Sequence, residues 1–290
     1  MSNFHSPPET ASVFCGISQK KATNSTANLI ILGILAGVYI GFGAQLATMI
    51  MSDLDKYLGL GFAKFIGGSV FSVGLMLVIL AGAELFTGNS LIVIGYLNGD
   101  IKGSQLLRNW IIIYFANFIG SILLVYLMYA TGLWKTGAGV VGAKAVMIAN
   151  GKVNLSLGEA LARGILCNWM VCLAVWLAIA SKDVIGKIFG IFFPIMAFVA
   201  SGFEHSIANM YFVPMGIILK GQEFVQQALP EGIDLGNLTW GSFIGANLIP
   251  VTVGNIIGGT FFVGFLYWYI YLKTEGASKS SESGVNISDK

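Results

Sequence analysis

Hydrophobic positions gather into six long blocks without a charged side chain, at 28–52, 65–83, 109–134, 164–181, 188–203 and 235–272. Polar linkers lie near 53–64, 98–108, 135–163, 182–187 and 220–234. A helix needs about 20 apolar residues to cross a bilayer. The pattern therefore predicts an all-α membrane protein with six transmembrane helices over 28–272, an N-terminal tail over 1–27 and a C-terminal tail over 273–290. The first 27 residues are polar, have no signal-peptide core, and read as an exposed, cytoplasmic lead-in with room for an amphipathic segment. An even number of crossings puts both termini on one side. Of the 16 Lys and Arg residues, 9 fall on that side and 7 on the other, which predicts cytoplasmic termini in the cell membrane.

The second and fifth blocks do not end cleanly. Each runs into a polar stretch containing glycine and resumes as a short apolar piece: Gly82-Ala83-Glu84-Leu85-Phe86-Thr87-Gly88-Asn89 in the second, Gly202-Phe203-Glu204-His205-Ser206-Ile207-Ala208-Asn209 in the fifth. Both stretches read G-x-E-x-x-x-small-N at an offset of 120 residues, and Ala116-Asn117-Phe118-Ile119-Gly120 echoes Gly254-Asn255-Ile256-Ile257-Gly258 at an offset of 138. Two echoes in the same order predict two homologous halves, about 28–134 and 160–272, of three crossings each. Three is odd, so the second half enters the membrane from the opposite face. The expected architecture is a pair of inverted three-helix repeats with helices 2 and 5 broken, the arrangement in which permeation sites form where discontinuous helices meet.

Composition narrows the function. Charged residues make up 10% of the chain and AVILMFWYC 56%, with a mean hydropathy of +0.78. Such a chain is neither a soluble enzyme nor a disordered protein, and a net charge of +2 does not fit a nucleic-acid binder. Gly, at 38 residues, suits close helix packing in a membrane. Cys15, Cys167 and Cys172 have neither disulfide-framework nor zinc-site spacing.

Where the second and fifth blocks run into their polar stretches, the ionisable groups are few. Glu84 and Glu204 occupy the same repeat position. A carboxylate there is costly and needs a partner; a proton relay and a loop-structuring role are both open, and the shared position favours the second, with Asn89 and Asn209 alongside. His205 faces the apolar Leu85 across the repeat, so it breaks the symmetry and is the candidate pore residue. Its imidazole changes charge near neutral pH. No second His and no Cys accompany it, so no metal is expected. Thr87 offers a hydroxyl that either orients the histidine or caps the following helix, and Asn168 is a further hydrogen-bonding candidate. Phe71, Leu75, Leu85, Phe86, Val171 and Phe198 are candidate hydrophobic gates, although periodicity alone marks them as packing residues.

The strings ELFTGN, SGFEHSIANM and NLIPVTVGNIIGG, together with NWMVCLAVW and RNWIIIYFANFIGS, resemble the formate/nitrite transporter family. Within it, the sequence looks most like bacterial formate channels. The resemblance covers about 28–272 and implies an aquaporin-like protomer, a homopentamer and one pore per protomer. It implies that His205 is the central pore histidine, with Thr87 and Asn168 beside it. Phe71, Leu75, Leu85, Phe86, Val171 and Phe198 would form the constrictions, and Lys152 an anion-attracting vestibule lysine. One departure is Gly88, where the formate channels have Ser. The expected function is passage of small monovalent anions, formate first, with transient protonation at His205 and no cofactor. Nitrite, hydrosulfide, lactate or acetate are the alternative substrates. A water or glycerol channel is a rival from another class, against which the absence of an NPA triplet counts; an intramembrane enzyme lacks any nucleophile motif.

Overall fold

The computed structural model describes residues 3–273, all helical apart from turns, connecting segments and one isolated bridge, Phe4 with Ser181. In chain order the helices are α1 (Pro7–Thr23), α2 (Thr26–Ile50), α3 (Leu54–Gly82), α4 (Gly88–Leu97), α5 (Gly103–Ala130), α6 (Val140–Val153), α7 (Leu157–Ala180), α8 (Val184–Ser201), α9 (Ser206–Leu219), α10 (Glu223–Ala228) and α11 (Trp240–Lys273). Among the described residues six of these, α2, α3, α5, α7, α8 and α11, are long and apolar enough to cross a membrane. The C-terminal tail lies outside the described residues, apart from Lys273.

Local chemistry sets where the helices start. Ser25 caps α2 by accepting from Asn28 N at 3.2 Å. Ser156 and Glu159 form a reciprocal capping box on α7, with Ser156 N donating to Glu159 Oε2 at 2.9 Å and Glu159 N to Ser156 Oγ at 3.3 Å. Asp183 accepts from Gly186 N at 2.7 Å to open α8. α3 and the C-cap of α8 end alike, on Gly82 with φ +90° and Gly202 with φ +79°, a conformation that costs glycine least.

Hydrophobicity does not drive helices together within lipid, so close backbone approach has to. α2 lies against α5 through Gly37 and Gly120, where an added methyl would run into the Asn117 and Ile34 carbonyls respectively. α11 meets α7 in the same way, through Gly254 and Gly258 against the carbonyls of Leu161 and Ile165.

Two regions differ from the sequence expectation. The N-terminal tail is not simply exposed: over Pro7–Thr23 it forms α1, with Thr10, Ala11, Phe14, Ser18 and Ala22 buried. Phe14 stacks on Trp176 of α7, ring centroids 5.2 Å apart. The 135–163 linker likewise contains α6, whose Val146 and Ala149 are fully buried. Each helix is too short to span a membrane, so a search for long apolar runs passes over both.

Candidate functional site

Two non-helical segments lie between successive helices, 83–87 between α3 and α4 and 202–205 between α8 and α9. Backbone groups freed there need partners, and each segment draws on a matching set of side chains. Asn117 Nδ2 donates to Gly33 O (2.8 Å) and Glu84 O (2.9 Å), while its Oδ1 accepts from Phe86 N (2.9 Å). Asn255 Nδ2 donates to Gly164 O (2.8 Å) and Glu204 O (2.9 Å), and its Oδ1 accepts from Ser206 N (2.9 Å). Each glutamate amide donates to a neighbouring crossing, Glu84 N to Leu32 O at 3.1 Å and Glu204 N to Arg163 O at 3.2 Å.

Both carboxylates are paired. Glu84 Oε2 takes Lys21 Nζ and Asn89 Nδ2, each at 2.7 Å, and Asn89 Nδ2 also reaches Asn109 Oδ1 at 2.9 Å. Glu204 Oε1 takes Lys152 Nζ at 2.9 Å, its Oε2 takes Asn209 Nδ2 at 2.7 Å, and Asn209 Nδ2 reaches Asn247 Oδ1 at 2.8 Å. The set closes on the lysine backbones, Asn109 Nδ2 to Lys21 O (3.2 Å) and Asn247 Nδ2 to Lys152 O (3.0 Å). Sequence reasoning missed Lys21, Asn109 and Asn247. Their signals are present: Lys21 and Lys152 are 131 residues apart, Asn109 and Asn247 the same 138 as Asn117 and Asn255.

The two sets differ where chemistry is possible. Lys21 also donates to Asn89 Oδ1 at 3.0 Å, whereas Asn209 Oδ1 is buried without a hydrogen-bond partner among the described residues. Lys152 instead lies over the Phe212 ring, 5.2 Å from its centroid. His205 Nδ1 accepts from Ala208 N at 3.0 Å, capping α9, and Nε2 lies 2.9 Å from Thr87 Oγ1. An amide can only donate, so Nδ1 offers its lone pair. A neutral ring then carries its proton on Nε2 and donates it to the Thr87 hydroxyl. The histidine of one segment is thus joined to the threonine of the other.

Two cavities flank this contact, of about 630 Å³ and about 400 Å³. The first takes Leu32 from the start of α2 and Leu75, Val78 and Gly82 from the end of α3; the second takes Met51 just beyond α2, and Lys64 and Phe71 from earlier in α3. They therefore lie towards opposite ends of the crossings. Leu75 and Leu85 line the first, and Phe71, Phe198 and His205 the second. Phe71 and Leu75 are one turn apart on α3, a rise of about 6 Å, so residues of a single turn line opposite cavities. Phe198 meets Phe71 edge-on at 5.9 Å and stacks on His205 at 6.0 Å.

Other candidates fall elsewhere. Phe86 packs on Trp110 and Tyr114 of α5, with centroids 6.2 and 4.9 Å away, and neither it nor Val171 lines either of these two cavities. Asn168 Nδ2 reaches Thr87 O (3.2 Å), Ser90 Oγ (3.1 Å) and Asn255 O (2.6 Å), so it braces the backbone beside Thr87 rather than touching His205. Among the described residues no group of three His, Cys, Asp or Glu is placed to hold a metal.

Comparison with known proteins agrees with this organisation. Residues 8–269 match the family described as formate/nitrite transporter. A probable formate transporter of Methanothermobacter thermautotrophicus is 45% identical over 287 residues, covering 94% of this chain and 99% of that protein. The formate channel FocA of Escherichia coli is 42% identical over 256 residues, covering 87% and 90%. A solved structure described as a pentameric formate channel with formate bound superposes with a TM-score of 0.77 at 38% identity, covering 87% of this chain and 99% of that one. The chain belongs to the formate/nitrite transporter family.

Proposed function

We propose that this protein passes small monovalent anions, formate first, across the cell membrane through one pore per protomer of a homopentamer, with both termini cytoplasmic. The observation that carries the reading is His205, the titratable side chain on the thin partition between the two cavities, hydrogen-bonded through Nε2 to Thr87. The relatives and the pentameric formate channel support the substrate and the assembly. The two matched segments support inverted repeats: the α3–α4 and α8–α9 pairs are the broken crossings, and each repeat includes a preceding short helix, α1 or α6. Glu84, Glu204, Asn89 and Asn209 structure those segments. Lys152 holds Glu204 at the mouth of the second cavity, and Phe71, Leu75, Leu85 and Phe198 form the dry constriction.

The energetics favour crossing as the neutral acid. Protonating a carboxylate with a pKa of about 4 at pH 7 costs about 4 kcal/mol, whereas a bare anion on an apolar partition loses its hydration at several kcal/mol even after relaxation. A neutral ring can give the anion a hydrogen bond from Nε2, but giving up that proton would leave imidazolate. Transfer therefore requires a ring that first takes a second proton at Nδ1 from the side the anion enters, displacing the Ala208 amide; Nε2 then gives its proton to formate, and the remaining Nδ1 proton moves to Nε2 to restore the starting tautomer. Protonation at His205 is then brief, because the cation lacks its place as the cap of α9. Net movement is one formate and one proton.

Uptake of labelled formate into proteoliposomes under an inward proton gradient tests the reading. Saturable uptake, competed more strongly by formate than by nitrite, hydrosulfide, lactate or acetate, is the expected result. Water flux without formate flux in folded protein would overturn it.

A further inference from the structure

Two of the charges at the mouth of the second cavity, those of Lys64 and Arg163, belong to residues the function above does not use. Lys64, Lys152 and Arg163 line this cavity, with Glu204 as the carboxylate among the lining residues. Lys152 and Glu204 neutralise each other at 2.9 Å, with side chains only 15% and 6% exposed. Lys64 has no ion-pair partner among the described residues. Its ammonium lies above the 202–205 segment, 3.8 Å from where a Cβ on Gly202 would stand. The Arg163 carbonyl accepts from Glu204 N, which puts the residue beside the same segment. Its guanidinium faces Glu159 at 3.6 Å, but both side chains are open to solvent, at 40% and 53%. An exposed pair at that distance is worth little and leaves most of the arginine's field unspent.

We propose that Lys64 and Arg163, rather than Lys152, form the anion-collecting site at the mouth of the second cavity, drawing small monovalent anions to the face of the partition that bears His205. The proposal rests on the anion-passage reading for its purpose, but its electrostatics stand alone. Neither cation has a counterpart at the other end. Arg163 corresponds to Leu32, which lines the first cavity, and Lys64 corresponds to Val184, which does not. The first cavity sets Lys20 and Lys21 against Glu84, a surplus of one positive charge, and the second has a surplus of two. Charges in a confined mouth raise the local concentration of counter-ions, an effect that salt screens over about 10 Å at 0.1 M and about 3 Å at 1 M.

The test reads the local potential directly. Met147 lines the same cavity and is 40% exposed, so Met147→Cys places a reactive thiol there. The native thiols are quiet: burial, with Asp100 close by, pushes Cys15 up to about 12, and Cys167 and Cys172 are buried. The rate of labelling by an anionic sulfonate methanethiosulfonate reagent is divided by that for a cationic ammonium one. Lys64→Gln with Arg163→Gln is expected to lower this ratio about fivefold or more in low salt and hardly at all at 1 M salt. Removing the neutral pair, Lys152→Gln with Glu204→Gln, should leave the ratio within about twofold, as should the charge-conserving Lys64→Arg with Arg163→Lys. If the double Gln variant does not assemble, each single variant should give about half the logarithmic effect. An unchanged ratio in the Gln variants, or an equal fall on removing the Lys152–Glu204 pair, would overturn the proposal. Formate uptake separates the two readings. A raised KM with an unchanged maximal rate places the collector on the formate path, whereas a responsive ratio in protein that moves no formate keeps the collector and removes the substrate.

Discussion

At 83–87 the chain is held by Lys21, Glu84, Asn89, Asn109 and Asn117; at 202–205 Lys152, Glu204, Asn209, Asn247 and Asn255 do the same work with donor–acceptor distances that agree within 0.2 Å. Within that shared frame Leu85 stands where the other segment has His205, and Thr87 where it has Ile207. The repeated residues satisfy backbone and bury a charge, tasks that arise wherever a helix is interrupted in an apolar medium. The unrepeated pair, His205 and Thr87, joins the two segments at 2.9 Å. Under the proposed function, recurrence sorts the buried polar residues into support and pore.

The largest effects should come from the shared frame. Glu84→Ala and Glu204→Ala each remove the carboxylate that pairs a lysine and accepts from an asparagine amide, and each should lose about 3 kcal/mol of stability, read from thermal unfolding in detergent. If one were silent, the two frames would not be equivalent. Asn117→Leu and Asn255→Leu each remove three buried hydrogen bonds and should cost about 2 kcal/mol or more, again as a matched pair. Lys21→Met and Lys152→Met sharpen the comparison by differing. Asn89 Oδ1 loses its donor in the first, whereas Asn209 Oδ1 has none to lose, so the first should be the more damaging by about 1 kcal/mol.

Much of this was legible in the chain. Charge-free blocks locate the crossings, and the G-x-E-x-x-x-small-N echo locates both non-helical segments. The oddity of His205 against Leu85 picks out the partition residue. What stayed hidden shares a physical cause. Lys21 sits on a short helix that reads as tail, because hydropathy registers long apolar runs and not a helix lying against a bundle. Asn109 and Asn247 lie at the ends of crossings, where an asparagine looks like an ordinary boundary. Phe86 and Leu85 are neighbours in a non-helical segment, so periodicity cannot show that one lines a cavity while the other packs on Trp110 and Tyr114. Asn168 lies near the predicted partners but reaches the Thr87 backbone, a distinction only coordinates make.

The smallest effect on stability and the largest on flux should come from one substitution. Asn caps helices well and keeps an acceptor for the Ala208 amide but does not titrate near neutral pH, so His205→Asn should shift unfolding by less than about 1 kcal/mol. The measurement that tests the account most directly is initial formate uptake by wild type and His205→Asn with and without an inward proton gradient. The account predicts that the gradient accelerates the wild type and leaves the folded variant unaffected. Equal acceleration of both would contradict it, because the proton would then cross with formate without using His205.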